Sequence, residues 1–235
     1  MLTALLAGGL AGLFASGVQA WKVVPLIHQA EVYEQSAAAH GHPGVAHEHA
    51  NHEEAAKTVP PAGHDHPAAV WSPADGLERT LYTVAANLLT GIGFASLLVG
   101  AIALSGREPD TGEGVLWGLA GFASFSLAPA LGLPPELPGM FAADLVARQG
   151  WWAATAASTA AAIALLVFGR PSWAKALGLV LLLLPHVTGA PDGGMGGAVP
   201  PELVARYVTA SLVATGLFWL VLGGAVGGIY RKLRG

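Results

Sequence analysis

The sequence predicts an all-α, polytopic membrane protein: six transmembrane helices arranged as three helical hairpins, with a flexible histidine-rich outer loop. Three observations carry that prediction. First, 53% of the 235 residues are hydrophobic and only 11% are charged, with a mean hydropathy of +0.54. Soluble domains carry about 25% charged residues, so this chain has too few to coat a globule. Second, the charges crowd between long stretches that have none, the pattern of a chain that crosses a bilayer repeatedly. Third, the odd-numbered connections share a proline-and-acid pattern and hold twelve of the fifteen acidic residues.

A spanning helix needs roughly 20 mostly apolar residues. Six stretches qualify, at about 2–21, 80–104, 114–131, 149–168, 173–190 and 205–229. The first belongs to a unit of residues 1–30, followed by a histidine-rich extracytoplasmic loop over 31–77 and a five-helix region over 78–235. Val18-Gln19-Ala20 resembles a signal-peptide cleavage site, but no basic residue precedes the apolar core. Gly8, Gly12 and Ser16 instead sit at helical packing spacing, so the segment reads as a retained helix. The second stretch carries Asn87, its most polar central residue. The third and fifth are short and hold a proline near the far end, Pro129 in SLAPALG and Pro185 in LLPHVTG. The fourth and fifth, AASTAAAIALLVFG and LGLVLLLLP, show no polar stripe of the kind a soluble core helix keeps. Gly114/Gly118 in the third and Gly223/Gly227 in the sixth are close-packing faces.

Basic residues set the orientation. The even loops and the C-terminus hold Arg107, Arg170, Lys175, Arg231, Lys232 and Arg234; the odd loops hold Lys22, Lys57, Arg79, Arg148 and Arg206. The margin is narrow, but the RKLRG tail is the densest cluster, and charges at helix flanks weigh most. Both termini are therefore expected in the cytoplasm and the first loop outside, in a cytoplasmic (inner) membrane.

The odd loops repeat a pattern. Pro129 leads to LPPELPG and then Arg148; Pro185 leads to VPPELVARY, with Arg206 at the start of the sixth helix; Pro25 opens a looser copy ending in LERTLYTVAANLLTGIG. Internal repeats with interrupted helices are common around transport sites. Prolines and acids also cap helix starts without any such role.

Residues 40–67 hold seven of the nine histidines, as His40/His42, His47/His49/His52 and His64/His66, mixed with Glu48, Glu53, Glu54 and Asp65. Neutral imidazole is the commonest ligand for divalent transition metals, and glycine, alanine and proline between the histidines suit a flexible metal-capturing tether. Zero cysteines exclude disulfides and thiolate ligands. The other two histidines, His28 and His186, fall at the outer boundary near Glu31, Glu136 and Glu202. A proline frees a backbone carbonyl one turn earlier. A handover site of His28, His186, Glu136 and Glu202, with a path past Asn87, Pro129 and Pro185, is chemically sensible. The competing reading makes each histidine an interfacial hydrogen-bonding group. There is no nucleotide-binding loop, no H-E-x-x-H and no embedded carboxylate pair, which disfavours an enzyme and any tightly bound cofactor. The net charge of −4 argues against nucleic acid as a partner.

Three stretches together carry a resemblance: LLAGGLAGLFASGVQAWKVVPLIHQAEVYE, then GFASFSLAPALGLPPELPG with RQGWW, then LPHVTGAP and VPPELVARYVTASLVATGLFW. With them the chain resembles the CbtA family, membrane proteins proposed to be subunits of a cobalamin-regulated cobalt transporter. The resemblance implies an inner-membrane protein of five to six helices, accompanied by a small single-helix partner with its own histidine motif. Its substrate would be Co²⁺, with Ni²⁺ or Zn²⁺ as alternatives. Three functions compete: a divalent-metal permease, a non-transporting metal-binding or sensing subunit that acts through a partner, and a purely structural membrane subunit. The lack of an ionisable residue in mid-helix favours the second, and the repeated broken hairpins favour the first.

Overall fold

The computed structural model describes residues 1–40, 73–194 and 197–234. Helix α1 (Leu2–Lys22) breaks at Val23 and resumes as α2 (Val24–His40). Pro25 lies in the first turn of α2, where its missing N–H forfeits no helical bond. It therefore opens a second helix, which runs to His40. There follow α3 (Leu77–Ser105) and α4 (Thr111–Phe122), the latter continuing through a π-helical turn (Ala123–Leu127) into α5 (Ala128–Ala130). Then come α6 (Leu145–Phe168), α7 (Ser172–Thr188) and α8 (Pro201–Arg234).

Among the described residues, four helices, α1, α3, α6 and α8, are individually long and apolar enough to cross a membrane. The other two expected spans are shorter: α7 has 17 residues, and the third is the composite of α4, the π turn and α5. Many large apolar side chains face outward, among them Leu104 at 92% exposure and Leu89 at 73%. Water penalises a surface of that kind and lipid does not.

The packing corrects one expectation. Helices α1 and α3 pair as the first hairpin predicts, and α6 packs on the π turn and α5 as the second predicts, but α4 packs chiefly on α8, α8 also on α1, and α7 on α6. Among the described residues, α7 makes no contact with α8, its successor in the chain. Small residues decide this. A Cβ built on Gly114 would lie 2.8 Å from Gly227 Cα, and one on Gly223 would lie 2.8 Å from Gly118 Cα. The two glycine rows seen in the sequence thus face each other, and the close backbone approach they permit outweighs sequence adjacency. The same device joins α1 to α3, where a Cβ on Gly12 would stand 2.6 Å from the Asn87 carbonyl oxygen. At the centre Trp219 stacks on Phe125 with ring centroids 5.8 Å apart and meets Phe94 at 4.8 Å. These rings tie α8, α3 and the π turn together.

The end of the bundle that bears the histidine tract is knitted separately. Leu26 and Ala30 of α2 bury against Leu137, Val199 and Leu203. Met140 pairs with Gly197 in a single antiparallel bridge, and the Ala198 N–H donates to the Gly139 carbonyl at 3.1 Å. Gly139 has φ +83°, a left-handed conformation that side chains resist, and Glu34 of α2 lies against it.

Candidate functional site

Pro129 brings no N–H to the turn before it, and the helix accommodates the gap with the π turn, in which the Ala128 N–H reaches back to the Ala123 carbonyl. Ser124 Oγ donates to the Ala120 carbonyl at 2.8 Å, and Trp219 Nε1 donates to Ser126 Oγ at 3.2 Å. Beyond this interrupted helix the LPPELPG loop carries Glu136 across to α6. Asp144 caps α6 by accepting from the Ala147 N–H at 2.9 Å, which sets Arg148 in the first turn. Arg148 Nη2 lies 2.8 Å from Glu136 Oε2, with the two side chains 32% and 23% exposed. Both line a cleft of about 370 Å³ together with Ser126, Pro129, Trp152 and Thr215.

Glu31 makes an analogous pair. Its Oε1 lies 2.6 Å from Arg79 Nη2, and its Oε2 lies 3.0 Å from His28 Nδ1. Arg79 also reaches Asp75 at 3.2 Å. The bond from Arg79, aided by His28 and opposed by burial, holds the Glu31 carboxyl below its ordinary range. Two of the three repeated loops thus give an acid to the arginine at the start of the next helix. Glu202 instead sits exposed in the first turn of α8, where a carboxylate suits the helix dipole.

His186 ends α7 with its ring edge toward Trp151, centroids 6.1 Å apart. Pro185 releases the Leu181 carbonyl as expected, but Ser158 Oγ of α6 donates to that oxygen at 2.5 Å. The Pro185 carbonyl accepts from Trp151 Nε1 at 3.3 Å and from Thr188 Oγ1 at 2.9 Å. Pro185 is therefore a joint between α6 and α7. Asn87 is engaged likewise: its Nδ2 donates to Ser16 Oγ at 3.1 Å and Gln19 Oε1 at 2.8 Å, clamping α3 to α1.

Among the described residues, no three of His, Asp and Glu stand together so as to hold a metal ion. His28, His186, Glu136 and Glu202 are accordingly not gathered into one ligand set. Of these four and the path residues, Glu136 and Pro129 share the cleft; His28, His186, Glu202, Asn87 and Pro185 do not line it. Of the tract, His40 ends α2, and His42, His47, His49, His52, His64 and His66 lie outside the described residues. Sequence reading missed Arg148 as the partner of Glu136, although the recurring acid–arginine order was its signal. It also missed the π turn, which no local residue pattern announces.

No curated protein and no solved structure matches the chain. A family model does, over residues 1–231, with the description probable cobalt transporter subunit (CbtA). That match spans essentially the whole chain, agrees with the apolar, multi-helix membrane architecture, and shows that this protein belongs to the CbtA family of probable cobalt transporter subunits.

Proposed function

We propose that the protein admits a divalent transition metal, cobalt first and nickel second, across the cytoplasmic membrane. The observation that carries this reading is the cleft beside the interrupted helix, which Glu136 lines together with Pro129 and Ser126. Helix α2 carries the first histidine of the tract, His40, at its end. Glu34 touches Gly139, three residues from Glu136, and His40 follows about 9 Å further along α2 at 1.5 Å per residue. In this reading His40, His42, His47, His49, His52, His64 and His66 collect the ion outside the cell. His28 and His186 act as single relay ligands, and Glu136 receives the ion at the cleft. Both termini lie in the cytoplasm, and a small single-helix subunit bearing its own histidines completes the assembly.

The test is uptake of radioactive cobalt by cells lacking other cobalt importers, with and without the protein and its partner. Protein-dependent uptake is expected. Deleting residues 40–66 raises the half-saturation concentration without abolishing transport, and His186→Ala slows it. Absence of protein-dependent uptake of any first-row metal would sink the permease reading. The second reading, a binding or sensing subunit, is favoured by the absence of a three-ligand set among the described residues. It predicts metal binding by the purified protein with no uptake.

A further inference from the structure

We infer that Arg148 is a built-in counter-cation that holds Glu136 until a divalent ion replaces it, so that the Glu136–Arg148 pair gates the cleft. This deepens the permease reading and rests on it. Three comparisons within the molecule support the assignment.

The pair lies in a cavity: both side chains line the 370 Å³ cleft and are no more than about one-third exposed. The analogous Glu31–Arg79 pair is about as buried, its side chains 26% and 35% exposed, but it does not line this cleft, and its arginine is shared with Asp75, which is 89% exposed. Among the described residues, Glu202 and Arg206, the third copy, form no ion pair. The second repeat is thus the one whose acid–arginine pair lines this cleft.

The surroundings suit a small cation once Arg148 withdraws. Glu136 is the only carboxylate lining the cleft, and the other polar groups on its wall are the oxygen-bearing side chains of Ser126, Gln149 and Thr215. While the guanidinium remains, its positive charge repels a second cation within a few ångströms, in a setting where charges interact more strongly than in water. Arginine stays protonated throughout the physiological range, so only displacement clears the site. A monovalent ion competes less well for the carboxylate than a divalent one, by simple Coulomb attraction. The device therefore selects charge as well as controlling access.

Cobalt(II) uptake by cells producing the full-length chain tests this, with membrane abundance of each variant measured in parallel. Arg148→Gln is expected to lower the half-saturation concentration about tenfold by removing the like charge. Arg148→Lys, which keeps the charge, stays near the wild-type value, and Glu136→Gln loses saturable uptake. Should Arg148→Gln fail to accumulate, Gln149→Glu leaves the pair intact and adds a second carboxylate to the cleft. It too lowers the half-saturation concentration, whereas a purely structural pair predicts no change. The inference is overturned if wild type transports while Arg148→Gln and Gln149→Glu leave half-saturation unaltered, or if Arg148→Lys behaves as Arg148→Gln. If wild type itself takes up no cobalt, the permease reading falls and the gate with it.

Discussion

A methyl group added at Gly8 would lie 2.5 Å from the Cα of Ile92, while one added at Gly9 would meet nothing within 4 Å. Gly8→Ala must therefore push α1 away from α3, at a cost of about 1–3 kcal/mol by the usual scale of overpacking. Gly9→Ala should be neutral. Thermal unfolding of the purified variants in detergent checks the pair, and equal midpoints would refute the close approach. A second residue-scale test concerns Ser158, whose hydroxyl takes up the carbonyl that Pro185 releases. Its change to Ala should cost roughly 0.6 kcal/mol, the average for such bonds between membrane helices. The sequence marked Pro185 as an interruption but not its partner, because a hydroxyl on another helix shares no local pattern with it.

Helix α2 depends on charge for part of its seat. Glu31 binds Arg79 at the start of α3, which joins the two ends of the histidine-rich insertion. Because the folded-state pKa of Glu31 is lowered, the pair stabilises the fold above the ordinary glutamate value of 4.5. That contribution fades as pH falls through the lower folded value. A partly exposed pair of this kind contributes about 0.2–1 kcal/mol. Spin labels at Gln35 and Leu77 should show a single narrow distance at neutral pH that broadens once acidification has gone well past the ordinary glutamate value of 4.5. Glu31→Gln should show the broad distribution at both. A distribution independent of pH in the wild type would show that the apolar seat formed by Leu26 and Ala30 suffices by itself.

For the whole molecule, the testable feature is which helices are neighbours. The chain has no cysteine, so introduced pairs report without background. A Cβ at Gly224 would lie 3.4 Å from Val115 Cγ2, so these positions of α8 and α4 face each other in contact. Val115→Cys with Gly224→Cys should crosslink on mild oxidation and lose maleimide labelling, whereas Leu183→Cys with Val213→Cys, on α7 and α8, should remain free. The reverse result would restore the sequential hairpins. Sequence by itself determined the helical membrane class, the apolar segments, the glycine rows and the repeated acid–arginine loops, because each is written in local composition and spacing. Which glycine row meets which, which arginine a given acid finds, and where a proline-broken helix leaves a hollow were decided only by the tertiary structure. In lipid an apolar face gains little by choosing one apolar neighbour over another, so pairing falls to small-residue fit and to a few polar bonds between residues distant in the chain.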